Sequence, residues 1–184
     1  KEDVFTLKGL TETVADTLCV EFKYERTTRP FLHPYQTAAI FCGGEEVGYL
    51  GKINYEIQKE EDMRVSGYIM EIDLQMLEKY YGNKPMFRPL PKFAEEKRDL
   101  ALVMSKTVTC GEVEECIKNS CNFVTEVKLF DVYEGKPIPE DKRSMAFTVV
   151  FTPKDEEFTA NTVDKFVEKI LKNLSRNLEI ELRA

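Results

Sequence analysis

The chain has 184 residues, 42% of them hydrophobic and 32% charged, which is the composition of a soluble globular protein with one large or two small domains. No apolar run approaches the roughly 18 residues that span a bilayer, so we expect no transmembrane helix and no membrane partner. The net charge of −7 excludes a protein that holds nucleic acid by electrostatics alone. The first residues form neither a signal peptide nor a transit peptide, and we expect a cytoplasmic protein. The missing initiator methionine predicts a fragment or a processed chain.

The first half of the chain is predicted to be a mixed α+β unit. An apolar stripe through residues 5–18 has the spacing of an amphipathic helix. Four strand-like runs and a short helix follow, at residues 20–26, 37–42, 47–54, 65–74 and 74–81. Gly43 and Gly44 between two of the strands predict a hairpin turn.

A proline-rich segment at residues 83–91 separates this half from the next. Pro85, Pro89 and Pro91 disfavour a helix, so the segment is predicted to be an extended connector. We therefore divide the chain into two domains, residues 1–89 and 90–184.

The second half has the pattern βαββαβ. A strand is predicted at residues 98–105, and Thr109 begins a helix with a capping box. Two long strands follow, and Thr159 caps a second helix whose apolar residues recur at helical spacing. A last strand is predicted at residues 178–183. Two helices on one face of a four-stranded antiparallel sheet form a ferredoxin-like α+β fold.

The two long strands alternate between an apolar face and a mixed face. Asp131 and Tyr133 point to the same side of the first strand, and the second strand can bring Ser144 beside them. The apolar positions expected to fill the core behind them are Phe130, Val132, Met145 and Phe147. An open sheet face that carries an aromatic ring, a carboxylate and a hydroxyl can stack on and hydrogen-bond a splayed base. An ordinary amphipathic hairpin produces the same alternation.

Other chemistries find little support in the sequence. The five cysteines are odd in number and form no CxxC motif, so reduced structural thiols are expected rather than disulfides or a metal site. His33 is the only imidazole, lies before Pro34 in a predicted loop and has no nucleophile near it, which favours a structural role. The glycines match no phosphate-binding loop. We therefore predict no catalytic residue and no metal ligand.

Several motifs of the second half occur in a characteristic order: KF at residues 92–93, KRDLALV at 97–103, LFDVYEG at 129–135, KRSMA at 142–146 and LR at 182–183. This order resembles the ferredoxin-fold anticodon-binding domain at the C-terminus of the bacterial phenylalanyl-tRNA synthetase β subunit, over residues 90–184. The family's proline after Phe93 is Ala94 here, and Met145 replaces the usual leucine.

The resemblance implies roles for five residues. Tyr133 would stack on an anticodon base, and Asp131 and Ser144 would hydrogen-bond base edges. Arg98 and Arg183 would contact phosphate. A carboxylate that faces RNA is repelled by phosphate unless it accepts a hydrogen bond from a base, so Asp131 indicates specificity.

The first half resembles the end of the inactive, catalytic-like module of the same β subunit, a class II synthetase-like fold. The matching segments are FTLKG at residues 5–9, FLHP at 31–34, AAI at 38–40 and GYLG at 48–51. Tyr35 stands where the family prefers glycine, and Lys52 begins a departure from the family's G-E-x-H-P ending. The module is expected to be incomplete, because its earlier strands would precede Lys1.

The resemblance also implies the reaction and the partners of the parent enzyme. A phenylalanine–tRNA ligase, a class II aminoacyl-tRNA synthetase, attaches phenylalanine to its tRNA with ATP and Mg²⁺ as an α2β2 assembly. This chain would bind the anticodon stem-loop and face the catalytic α subunit, without a cofactor or catalysis of its own. An alternative stays open, a stand-alone ferredoxin-like regulatory or dimerisation module with no role in RNA binding, because fold alone does not decide function.

Overall fold

The computed structural model of the chain describes residues 2–81, 92–154 and 156–183. The chain forms two compact units, Lys1–Arg88 and Pro89–Ala184. The predicted connector at residues 83–91 lies outside the described residues. No helix in the described part of the chain is long and apolar enough to cross a membrane.

The first unit is a four-stranded antiparallel sheet with three helices. Its elements are α1 (Val4–Leu18), β1 (Phe22–Arg26), β2 (Leu32–Cys42), β3 (Glu45–Ile53), α2 (Tyr55–Glu60), β4 (Tyr68–Ile72) and α3 (Leu74–Glu78). The strands follow one another in the order β1-β2-β3-β4. The short helix α2 was not predicted, and His33 lies within β2 rather than in a loop, because Leu32 pairs with Ile53 and already begins the strand.

The core of the first unit is small. Helices α1 and α3 contribute residues that pack on the buried set Ile40, Cys42, Val47, Leu50 and Leu77. The predicted hairpin turn joins β2 to β3, and both of its glycines have positive φ. A Cβ atom on Gly43 would lie 2.2 Å from the Tyr80 ring, so the turn also needs glycine for space.

The second unit has the predicted ferredoxin-like arrangement. Its elements are β5 (Glu96–Ser105), α4 (Cys110–Ser120), β6 (Val124–Tyr133), β7 (Lys142–Phe151), α5 (Ala160–Leu178) and β8 (Glu181–Leu182). The strand order is β6-β7-β5-β8, and every neighbouring pair is antiparallel. Both helices contribute to one core against a single side of the sheet, as in other ferredoxin-like folds.

Caps begin both helices of the second unit. The Thr109 side chain accepts a hydrogen bond from the Glu112 amide, and the Glu112 carboxylate accepts one from the Thr109 amide, so the predicted capping box is confirmed. The Thr159 hydroxyl accepts a hydrogen bond from the Thr162 amide at 3.3 Å. Each cap offers a side-chain acceptor to an amide of the first helical turn. The Thr162 amide also donates to the Thr159 carbonyl at 2.9 Å.

Thr159→Ala is expected to lower the free energy of unfolding of the second unit by about 1 kcal/mol, because it removes the side-chain acceptor that caps the first turn of α5. Thr159→Asn keeps a side-chain acceptor and is expected to retain the stability. Urea denaturation followed through amide resonances of the second unit measures both variants. Equal stability of the alanine and asparagine variants would contradict the cap.

A β-bulge in β6 changes the predicted core. Leu129 pairs with Phe147 and Asp131 pairs with Ala146, so Phe130 is an extra residue without a partner of its own. The prediction that Phe130 and Val132 fill the core is therefore wrong. The Phe130 side chain is 55% exposed, and Val132, at the end of an edge strand, is 47% exposed. Met145 and Phe147 are buried, as predicted.

Candidate nucleic-acid interface

The side of the second sheet that faces away from α4 and α5 carries polar and small side chains. Alternation along the strands assigns this side to residues that neighbour the core positions. They are Lys97, Asp99, Ala101, Val103 and Ser105 of β5, Glu126, Lys128, Asp131 and Tyr133 of β6, and Lys142, Ser144, Ala146, Thr148 and Val150 of β7. We call this set the open face.

The strand register brings three of the predicted site residues together on the open face. Tyr133 of β6 pairs with Ser144 of β7. Asp131 pairs with Ala146, two residues along the same two strands. Ala146 in turn pairs with Ala101 of β5. Two alanines therefore form a shallow floor beside the aromatic ring.

Accessibility differs among these three residues. Tyr133 and Asp131 are exposed at the edge of the sheet, whereas Ser144 is only 3% exposed. The sequence prediction treats Ser144 as an open-face donor, and its position on that face agrees with the register. Its hydroxyl lies in the floor, so contact with a base requires the side chains around it to move.

Arg183, the fourth predicted residue, reaches Tyr133 across the sheet. Its backbone amide donates a hydrogen bond to the Ala101 carbonyl at 2.7 Å, which continues the pairing of β8 with β5. The guanidinium carbon lies 5.1 Å from the centroid of the Tyr133 ring, a cation–π contact. Because β8 and β6 are opposite edges of the sheet, the two side chains meet above the small residues of the strands between them.

The Tyr133 ring is held from its hydroxyl end as well. The hydroxyl donates a hydrogen bond to the Lys136 carbonyl at 2.7 Å. The ring is therefore oriented by the β6–β7 connection, and its face is the part that accepts a cation or a planar group. This arrangement places a stacking surface at the edge of the open face.

Arg98, the fifth predicted residue, lies on the opposite side of the sheet. It lies two residues before Leu100 on β5 and therefore shares the side of Leu100, which is buried in the core, and it pairs with the buried Val149. Its guanidinium donates hydrogen bonds to the Glu96 carboxylate at 3.1 Å and to the Lys97 carbonyl at 2.9 Å. The structure therefore does not bring Arg98 together with the other four residues.

The side chains of the open face offer groups that can bind a ligand. They include an aromatic ring, a guanidinium, a carboxylate at Asp131 and a second carboxylate at Asp99, which accepts a hydrogen bond from Thr148 at 2.7 Å. In residues 2–81, 92–154 and 156–183, no three His, Cys, Asp or Glu side chains are grouped so that they could hold a metal ion. Sequence reasoning missed Lys142, although it precedes Ser144 by two residues and so shares its face by simple alternation.

Two family models match the chain. Residues 91–183 match the ferredoxin-fold anticodon binding domain, and residues 1–74 match the phenylalanyl tRNA synthetase beta chain CLM domain. These matches cover parts of both units of the structure.

Similar proteins include phenylalanine–tRNA ligase beta subunits from several bacteria. The Clostridium tetani protein is 35% identical over 184 residues, which is 98% of this chain and 23% of the relative. The Bacillus subtilis protein is 34% identical over 99% of this chain, and the Thermotoga maritima protein is 32% identical over 97%, again 23% of each relative. The chain thus spans less than a quarter of the length of these curated relatives.

Proposed function

The chain belongs to the family of ferredoxin-fold anticodon-binding domains, and from that premise we propose that its second unit binds the anticodon stem-loop of a tRNA. The observation that carries the proposal is the meeting of Tyr133, Asp131, Ser144 and Arg183 on one face of the sheet. Single-stranded RNA bases are recognised by stacking on aromatic rings and by hydrogen bonds to their edges. The open face supplies groups of both kinds.

In this proposal each residue has a separate task. The Tyr133 ring stacks on one base. In the free protein the Arg183 guanidinium contacts this ring, and the base either displaces the guanidinium or lies beside it. Asp131 accepts a hydrogen bond from a base edge, and Ser144 contributes a second one after the side chains above it move. Arg183, once displaced from the ring, can contact phosphate.

We further propose that the whole protein is a phenylalanine–tRNA ligase β subunit, of which this chain is the anticodon-binding and scaffold portion. The similarity to such subunits over 97–99% of the chain supports this. Residues 1–89 would be the C-terminal part of the catalytic-like, inactive module, and residues 90–184 the anticodon-binding domain. ATP and Mg²⁺ would act elsewhere in a cytoplasmic α2β2 enzyme that joins phenylalanine to its tRNA.

The first unit would contribute the scaffold surface toward the catalytic α subunit. It carries large apolar side chains that are exposed in this chain, namely Phe5, Leu10, Tyr35, Tyr55, Val65 and Leu74. A contiguous patch of such side chains is typical of a surface that another chain covers.

Discrimination between anticodons tests the proposed function. Asp131→Asn keeps the size of the side chain but removes its charge, so the preference for the cognate stem-loop over one with changed anticodon bases is expected to fall about tenfold, since a hydrogen bond to a charged group contributes about 1.5–3 kcal/mol. Ser144→Ala is expected to reduce the preference less, because its hydroxyl is buried. Binding isotherms with the two stem-loops measure the ratio.

Asp164→Asn on α5 is the matched control, since it makes the same change at an exposed helical position. It is expected to leave the ratio unchanged. If Asp131→Asn and Ser144→Ala also leave it unchanged, the open face does not read the anticodon. The face would then be assigned to the alternative, a regulatory or dimerisation surface.

A further inference from the structure

A pocket of about 550 Å³ lies at one end of the open face, between the β6–β7 connection and the residue that follows β5. We call it the basic pocket and define it by Lys106, Lys136, Ile138, Pro139, Glu140 and Lys142. Its volume is within the range of roughly 300–1,000 Å³ typical of ligand sites. The predicted site residues do not include any of these six.

Backbone hydrogen bonds hold the walls of the basic pocket. The Lys106 amide donates to the Asp141 carbonyl at 3.1 Å, which ties the end of β5 to the β6–β7 connection. The Lys142 amide donates to the Pro139 carbonyl at 3.0 Å, and Ile138 is 8% exposed. Hydrogen bonds therefore fix the backbone on both sides of the pocket.

The charges of the basic pocket contrast with those of the chain. Three lysines and one glutamate line it, whereas the whole chain has a net charge of −7. Around it, Glu134 pairs with Lys106 at 2.9 Å, and Asp141 lies in the same connection. Both partners of that pair are exposed, and exposed ion pairs contribute little, so an incoming anion can replace the Glu134 carboxylate at low cost.

The basic pocket adjoins the stacking surface. Lys142 precedes Ser144 by two residues on the same face of β7, and Ser144 pairs with Tyr133. Two residues along a strand correspond to about 7 Å. Lys136 is joined to the same ring, because its carbonyl accepts the Tyr133 hydroxyl hydrogen bond.

We propose that the basic pocket binds backbone phosphates of the RNA segment whose base stacks on Tyr133, with Lys106, Lys136 and Lys142 as the phosphate ligands. Ile138 and Pro139 form the apolar part of the pocket and can pack against the attached ribose. The inference rests on the proposed anticodon binding and adds the phosphate contacts to it. It replaces Arg98, which lies on the other side of the sheet, as the source of positive charge.

The test is the salt dependence of binding of the full 184-residue chain to an anticodon stem-loop. Each lysine–phosphate contact with a single strand contributes about 0.7 to the slope of log K against log salt concentration. The double variant Lys136→Gln, Lys142→Gln is therefore expected to reduce the slope by about 1.4. It is expected to weaken the binding of the cognate stem-loop and of the anticodon-changed stem-loop by the same factor, because phosphates carry no sequence information.

Two controls separate charge from structure. The double variant Lys136→Arg, Lys142→Arg keeps the charges and is expected to keep the slope. Lys169→Gln removes an exposed lysine from α5 and is also expected to leave the slope unchanged. The inference is overturned if the slope of the glutamine double variant is unaltered, or if Lys169→Gln reduces the slope by as much as the double variant does.

Failure of the inference and failure of the proposed function give different results. Wild-type binding that discriminates between anticodons, together with an unaltered slope in the glutamine variant, overturns the phosphate contacts alone. Wild-type chain that does not bind the stem-loop overturns both. Amide shifts at Lys136 and Lys142 that appear with inorganic phosphate but not with the stem-loop would assign the basic pocket to a free anion and overturn the inference.

Discussion

Phe147→Ala is expected to lower the free energy of unfolding of the second unit by about 3–5 kcal/mol, the cost of removing a buried aromatic side chain. Phe147 is fully buried on β7 and belongs to the core that α4 and α5 form with the sheet. It pairs with Leu100 on one side and with Leu129 on the other, so the cavity would open in the middle of the sheet. Urea denaturation followed through amide resonances of the second unit measures the change.

Phe130→Ala is the matched control, since the same side chain is removed from a neighbouring strand. Because the bulge leaves the Phe130 ring 55% exposed, this variant is expected to change the free energy of unfolding by less than about 1 kcal/mol. A cost of several kcal/mol for Phe130→Ala would show that β6 pairs with β7 in a different register. A small cost for Phe147→Ala would contradict the place of Phe147 in the core.

Tyr133→Ala is expected to weaken binding of the anticodon stem-loop about tenfold or more, because stacking of one base on an aromatic ring is worth about 1–3 kcal/mol. The ring is oriented by its hydrogen bond to the Lys136 carbonyl and exposes a face that Arg183 contacts in the free protein. The ring is 37% exposed, so the free energy of unfolding is expected to change by less than about 1 kcal/mol. Isothermal titration with the stem-loop measures the loss of affinity.

Two further variants test whether the aromatic ring of Tyr133, rather than its hydroxyl, binds the stem-loop. Tyr133→Phe keeps the ring and loses only the hydroxyl, so it is expected to bind much more tightly than the alanine variant. Tyr35→Ala removes a 91% exposed ring from the first unit and is expected to leave binding unchanged. Equal affinities of Tyr133→Ala and the wild-type chain would reject stacking on this ring.

Local signals in the sequence were sufficient for the elements of the second unit. The Thr109 and Thr159 caps begin α4 and α5, and a long apolar stripe predicts α5 because it repeats at helical spacing. Alternation also predicts that Asp131, Tyr133 and Ser144 share one side of the sheet, and the register agrees. The same rule would have placed Arg98 on the core side, since it lies two residues from Leu100 and so shares its side of the strand.

The first unit was predicted less completely, for a physical reason. Its helix α2 has six residues and no apolar stripe long enough to show a helical period, and the Asn54 side chain caps it locally. His33 precedes a proline, which indicates an irregular segment, yet the pairing of Leu32 with Ile53 begins β2 before it. Pairing between distant segments determines where such a strand begins, and a local sequence pattern carries no information about that pairing.

Local sequence patterns thus predict the strands and helices of the second unit and the apolar side of β5 and β7, and the order of the motifs carries the resemblance that points to RNA. That Phe130 leaves the core follows from the folded sheet alone, because a bulge depends on the register between β6 and β7. The folded sheet also decides that Arg183 meets Tyr133, since residues 50 positions apart reach each other only when β8 and β6 border the same sheet. The basic pocket has the same origin, because a hydrogen bond between Lys106 and Asp141 brings together two connections that are distant in the chain.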